Sequence, residues 1–406
     1  MGLVMSASAS EGPAQQVKGT STRPVVFILD ANSLLESRRL VAAGDKELLR
    51  ALKGLRGEAD KALKAGPFSV MDKKTTPPSG DKHDYMSQAP YWWPDPNNPT
   101  GPYIRRDGEV HPDRREFDNA PMGRMSSAVS ALARAYYFTR HEPYASHAAK
   151  LLRTWFLDAN TRMNPNLNYG QSIPGRVDGR SAGIIDTTCL ADVADSVGLL
   201  AGSKDWTEQD HKALQAWFDK YLTWLMESKL GKEEAQAKNN HGTWYDVQVA
   251  AFALFAGRGE LAAKTLMQCR KRIESQIEPD GRQPQELART KSWDYSVMNL
   301  RAFFNLAALG EHCGVDLWSY QTSDGRSIRK ALDYLVPYAK GAEKWPHKQI
   351  TEFKADRLSP MLRRAAVKYG QVKYEEAPRD MTGAGKGDPQ LDLLWPKTRP
   401  PVATGG

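Results

Sequence analysis

Cysteine is scarce in this 406-residue chain: Cys189, Cys269 and Cys313 are the whole set, widely spaced and odd in number. They cannot form a disulfide framework, and without a Cys-x-x-Cys pair they offer no thiolate metal site. Free, partly buried thiols are the expectation. No apolar run is long enough to span a bilayer. A glycine-rich nucleotide loop, a zinc finger, an RNP-type motif and a dense Lys/Arg run are all missing, so neither nucleic acid nor membrane is expected as a partner. Strand-like alternation is nowhere sustained. Residues 1–26 are rich in Ser, Ala and Gly and lack an apolar export core; they read as disordered. Such a start fits a cytoplasmic protein, or an exported one whose signal is gone.

Lys and Arg number 56 against 48 Asp and Glu, a net charge of +8. Without a basic tail, that excess reads as a field around a cleft that draws a polyanion, acidic polysaccharides included. The 11 Trp and 15 Tyr combine apolar faces with polar tips, which suits stacking on sugars and equally suits core filling.

From about residue 26 apolar side chains recur at helical spacing, as Leu48, Leu49, Leu52, Leu55 and Leu63 do within 45–64. The same period predicts helices over 125–139, 144–157, 184–200, 206–228, 241–256, 259–277, 292–312, 325–338 and 353–369. Glycines and short polar turns separate them, for example "FAGRGE" at 255–260. Helices in pairs at such spacing predict an all-α repeat array or toroid, and the lack of a sequence repeat disfavours a regular solenoid. The expected division is a disordered segment 1–26, a helical domain 27–375 and an extended tail 376–406. Two stretches break the helical pattern. Residues 71–118 are long, Pro-rich and aromatic, and 162–183 are polar and Gly-rich; long loops within a compact domain are often functional.

Four clusters can carry chemistry. Asn239, Asn240 and His241 open the predicted helix at 241–256. An Asn there caps the helix, and the amide, the imidazole and the free N–H groups suit a carboxylate; the plain alternative is a cap with a satisfied histidine. Residues 279–300 carry Glu286, Arg289, Lys291, Asp294 and Tyr295. Arg289 and Tyr295 converge if the helix starts near Ser292 with Arg289 in the loop before it; otherwise the group is a surface ion-pair cluster. The aromatic loop brings Tyr91, Trp92, Trp93, Tyr103, Arg105 and Arg106. Rings beside guanidinium groups suit an anionic sugar chain, or simply pin the loop to the core. Last, Asn166, Asn168, Tyr169, Gln171 and Arg176, with Arg180 and Asp186 nearby, suit carbohydrate contact or ordinary turns.

Taken together, "NNHGTWYDVQ", "PDGRQPQELARTKSWDY" and "DYMSQAPYWWPDP…GPYIRRDGEVHPD" make the sequence resemble the alginate lyase superfamily of polysaccharide lyases over roughly 29–369. The resemblance implies an incomplete α/α toroid of paired antiparallel helices with aromatic and polar loops over a central cleft. It implies β-elimination on a β-1,4-linked polyuronate, alginate or a glucuronan, without metal or other cofactor, in a periplasmic or secreted protein. Asn240 and His241 match the Asn-His pair, Arg289 the arginine of "ELAR", and Tyr295 the catalytic tyrosine. Asn168 matches a second amide at the uronate carboxylate, and Glu234 a partner that orients His241. Asn239, Tyr169, Gln171, Trp92, Trp93, Tyr103, Arg105, Trp244, Glu286 and Lys291 are the further candidates for substrate contact. In this scheme Arg289 lowers the pKa of the Tyr295 phenol. Tyr295 acts alone as base and acid on a syn substrate, and with His241 as base on an anti one.

Two rival readings stand beside it. An α/α-barrel glycoside hydrolase would need two facing carboxylates from among Asp84, Asp118, Asp186, Glu286 and Asp294. A non-catalytic polyuronate-binding protein would need only the aromatic loop and the positive field. The oligomeric state is left open.

Overall fold

Helix capping places the first elements. Asp30 and Asp45 each accept from a backbone N–H three residues on, at the starts of α1 (Ala31–Ala42) and α2 (Lys46–Ala62), as N-cap aspartates do. The computed structural model describes residues 23–371, 373–375 and 390–397. After the first pair come α3 (Asn119–Thr139), α4 (Glu142–Leu152), α5 (Leu190–Leu199), α6 (Glu208–Glu227) and α7 (Lys229–Ala235). They are followed by α8 (Asn240–Phe255), α9 (Gly259–Gln276), α10 (Pro284–Leu287), α11 (Ser292–Glu311), α12 (Ile328–Ala339), α13 (Ser359–Tyr369) and α14 (Gln390–Leu394).

An inner row forms where α3 packs on α5, α5 on α8, α8 on α11 and α11 on α13; α2, α4, α6, α9 and α12 pack against it from outside. The sequence dictates which helix goes where. On α9 the buried residues are Ala262, Leu266, Cys269, Ile273 and Gln276, one stripe at alternating four- and three-residue steps, as a helix with one solvated face requires. On α8 every residue but His241 and Leu254 is buried, because "TWYDVQVAAFALF" is apolar on nearly all sides. This is an α/α toroid, and His241 is one of two openings in its most buried helix.

The predicted helices are present with shifted ends. The one expected over 184–200 splits into a 3-10 turn, Ser181–Thr187, and α5; that over 144–157 closes in a π turn, Arg153–Leu157. Short α7 and α10 were not anticipated, being too brief for a period to show. The extended tail expected over 376–406 is corrected in part: α14 packs on α1 and α2 and buries Leu391, Leu393, Leu394 and Trp395. Residues 1–22, 376–389 and 398–406 lie outside the described residues.

Short strands tie the two irregular stretches together. β1 (Met86–Gln88) runs parallel to β4 (Tyr169–Ser172), with Met86 opposite Tyr169; β2 (Trp92–Trp93) runs antiparallel to β3 (Ile104–Arg105), with Trp92 opposite Arg105. Gly170 and Gly183 touch backbone to backbone, and a Cβ on Gly183 would strike the Gly170 carbonyl. That contact seats β4 on the turn before α5. No helix among the described residues is long and apolar enough to cross a membrane. The three thiols are free, with Cys269 buried and the others half-buried.

Candidate active site

One wall of the central cleft is the start of α8. Asn239 caps it, accepting from the His241 N–H at 3.2 Å. Arg272 of α9 fixes the chain just upstream, donating to the Ala235 and Ala237 carbonyls and pairing with Asp246. Gly242 is obligatory there, because a Cβ would collide with the Ala237 carbonyl and the Arg272 guanidinium. Glu286, 1% exposed on α10, accepts from the Asn240 backbone N–H at 2.6 Å and from its Nδ2 at 2.7 Å. Burial raises the Glu286 pKa, against the pull of these two donors. His241 Nδ1 lies 2.6 Å from Oε1 of the buried Glu234 on α7. A carboxylate on Nδ1 selects the tautomer whose Nε2 is a bare lone pair.

The opposite wall centres on Tyr295, in the first turn of α11. Arg289 sits in the turn between α10 and α11, and its Nη2 donates to the Tyr295 hydroxyl at 2.9 Å. The six-residue separation therefore converges because the helix starts at Ser292. The Tyr91 hydroxyl is 2.5 Å from that of Tyr295. Burial and the neighbouring Tyr91 raise the Tyr295 pKa, and Arg289 only partly opposes them. Arg289 pulls the phenol's pKa down, as expected, but burial and Tyr91 outweigh it, so the net direction is upward. Arg289 in turn is held by Asp107, at 2.8 Å from Nη2 and 3.3 Å from Nε. Although burial opposes ionisation of Asp107, hydrogen bonds from Arg289 and Thr290 hold its carboxyl well below the usual range.

The floor is a polar knot on β4. Gln171 has φ of +50°, the left-handed region that costs a non-glycine residue about 1 kcal/mol or more. Its N–H donates to Ser87 Oγ at 2.7 Å, its Nε2 to Asp186 at 3.1 Å, and its Oε1 accepts from Arg180 at 2.5 Å. Asp186 also accepts from Tyr85, Ser87 and Arg114. With its acceptor sites taken, it is a structural anchor that leaves Arg180 facing the cleft without an ion pair of its own.

The cleft encloses about 480 Å³ and gathers Tyr91, Trp92, Arg105, Gln171, Arg180, Asn239, Asn240, His241, Arg289 and Tyr295. Asp186 is the one carboxylate among its lining residues, so the paired acids of a hydrolase are not facing across it. Asp118 is spent on Lys73, Asp84 on Ser79, Asn164 and Asn166, and Asp294 on Arg357.

Several expected contacts lie elsewhere. Asn168 is exposed and its Oδ1 accepts from Trp224 Nε1 at 3.0 Å, because the turn before β4 directs it outward. Trp244 is a core residue, 3% exposed, under the Arg301 guanidinium. Glu286 stands behind Asn240 rather than in the cleft. Trp93 meets His111 edge to face and donates to the Glu109 carbonyl; Tyr103 lies against the same imidazole. Neither of these two lines the cleft, and Tyr169 does not either. Lys291 sits over Tyr91 and lines a neighbouring pocket.

Asp107 was missed. Its signal was Gly108, whose φ of +85° and close approach to Thr290 let the aromatic loop reach Arg289; a lone "DGE" in a loop does not reveal that.

A buried phenol, an imidazole backed by a carboxylate and several guanidinium groups along one cleft of an α/α toroid are features expected of one class of protein, the polysaccharide lyases. The alginate lyase family model matches residues 69–345, and the chain belongs to that family. It is similar to the crystal structure of an alginate lyase from Bacteroides ovatus, at 41% identity and TM-score 0.87, covering 92% of this chain and 99% of that one. It shares its fold with an alginate lyase from a Sphingomonas species, at 14% identity and TM-score 0.57 over 92% and 96% of the two chains. A tetrasaccharide complex of the lyase bearing the same name matches at 15% identity and TM-score 0.59, with the same coverage. No curated protein matches the chain.

Proposed function

We propose that the protein cleaves a 4-linked polyuronate by β-elimination, with His241 as base and Tyr295 as acid. The observation that carries this reading is that an imidazole backed by Glu234 and a buried phenol backed by Arg289 line one cleft together with several guanidinium groups. His241 Nε2 takes the C5 proton. The C–H electron pair becomes the C4=C5 double bond as the C4–O4 bond breaks. Tyr295 gives its proton to the departing O4, so charge and protons balance. Arg289 stabilises the phenolate left behind.

The C5–H is a poor acid while the adjacent carboxylate is ionised, so the developing charge needs preorganised donors. Arg180 lines the cleft without a carboxylate partner, and Arg105 and Arg114 add positive potential beside it. Asn239 and Asn240 hold the start of α8 against the same space. A chain of uronates fits this field, and the tetrasaccharide complex of a lyase with the same fold makes an oligosaccharide the natural occupant.

The test is direct. The protein is incubated, with chelator present, with polymannuronate, polyguluronate, glucuronan and a pectic polymer, and the ultraviolet absorbance of the unsaturated product is followed. One polymer gives a rise, and Tyr295→Phe lowers its rate about a thousandfold, within the range for loss of a general acid. New reducing ends without that absorbance would mark a hydrolase and sink the proposal.

A further inference from the structure

A second cavity, of about 250 Å³, opens among α3, α5, α8, α11 and α13. Trp244 is 3% exposed, yet its Nε1–H has no acceptor. Arg364, 5% exposed, donates to the Asn305 side-chain oxygen at 2.7 Å and the Phe304 carbonyl at 2.8 Å, both neutral. Among the described residues no carboxylate lies within ion-pair distance of it. Arg301 lies over the Trp244 ring at 5.0 Å and, like Arg134, forms no ion pair among the described residues. Asp192 and Arg301 are open to water and both line this cavity.

Buried donors without acceptors are rare in native folds, and a buried cation without a partner costs several kcal/mol. Three guanidinium groups around a single carboxylate, with an idle indole N–H, form a site that lacks its anion. The cavity also continues the catalytic cleft. Arg301, Pro360 and Met361 line both it and an intermediate pocket, and that pocket shares Tyr91, Tyr295 and Met298 with the cleft.

Asp192 narrows the choice of anion. Its carboxylate would repel a phosphate or sulfate, but it accepts hydrogen bonds from sugar hydroxyls. We propose that Arg134, Arg301, Arg364 and the Trp244 N–H bind the carboxylate of a hexuronate unit while Asp192 takes its hydroxyls. This forms a second uronate site beyond Tyr295. The identity of the sugar rests on the polyuronate reading above; the anion site does not.

Titration calorimetry with sodium D-glucuronate tests it. The monomer has no 4-linked leaving group, so nothing turns over. The unaltered protein binds glucuronate at least about tenfold more tightly than glucose or inorganic phosphate. Arg301→Gln and the conservative Trp244→Phe each weaken glucuronate binding about tenfold, as loss of a hydrogen bond to a charged group does. Arg180→Gln, in the catalytic cleft, leaves it within about twofold. Unchanged affinity in both cavity variants, with melting midpoints showing them folded, would overturn the site. So would phosphate binding as tight as glucuronate, or no glucuronate binding at all. If no uronate polymer yields unsaturated product while this binding pattern holds, the lyase mechanism fails and the anion site stands.

Discussion

On the His241 wall the residues facing the cleft are backed by carboxylates, Glu234 and Glu286; on the Tyr295 wall they are backed by a guanidinium and a second phenol. A carboxylate behind an imidazole fixes its tautomer and orientation, while a cation behind a phenol prepares it to carry negative charge after the proton has gone. The walls also differ in how they are assembled. Glu234 and Glu286 lie 7 and 46 residues from their partners, within one run of helices, whereas Asp107 and Tyr91 lie 182 and 204 residues from theirs, on the aromatic loop. One half of the site is built into the toroid; the other is completed by a strap laid over it.

The largest effect expected from breaking this contrast is on the built-in wall. Glu286→Ala leaves the Asn240 N–H and Nδ2 buried without acceptors, so the start of α8 loosens. Stability falls by about 2 kcal/mol and turnover by about a hundredfold, read by chemical denaturation and by the unsaturated-product assay. Glu234→Gln keeps the shape but removes the charge behind His241. The expected result is a kcat about tenfold lower with KM nearly unchanged, in line with the loss of an outer partner of a working histidine.

On the strap the effects are smaller and of another kind. Asp107→Asn weakens the hold on Arg289 and Thr290, which should raise KM several-fold and hasten proteolysis of the loop over 100–110. The pH dependence of the strap follows from the depressed Asp107 pKa. Its contribution is present above the ordinary carboxylate range and is lost only as pH falls through the lower folded value, so loop proteolysis stays slow at mildly acid pH. Tyr91→Phe removes one of the influences that raise the Tyr295 pKa; the alkaline limb of the kcat/KM profile should move to lower pH, with little change at its plateau. Smallest of all, a roughly tenfold increase in ionic strength should raise KM for polymer without altering kcat, because screening acts on the cationic field and not on the buried pairs.

The helical order of the chain was legible where the apolar period ran long, as in α6, α8, α9 and α11. It failed at α7 and α10, two short helices that carry Glu234 and Glu286, because a single turn or two shows no period. At the site, the "NNH" and "ELAR…Y" stretches pointed to Asn240, His241, Arg289 and Tyr295, and the structure gathers all four around one cleft. Trp244 and Asn168, expected at the substrate, do not line the catalytic cleft: residue type alone does not say whether a side chain points inward, outward or into a cleft.

Composition, charge and period by themselves determined that this is a helical protein with a positive net charge, too few cysteines for a disulfide framework and two long irregular stretches. Those properties are local or summed over the chain, and need no knowledge of neighbours. Only the tertiary structure decided that burial and Tyr91 push the Tyr295 pKa up, that Asp107 occupies Arg289, and that Trp244 and Arg364 line a second cavity. Each of these depends on which groups meet after folding and how much water they lose, and desolvation and distance set those energies.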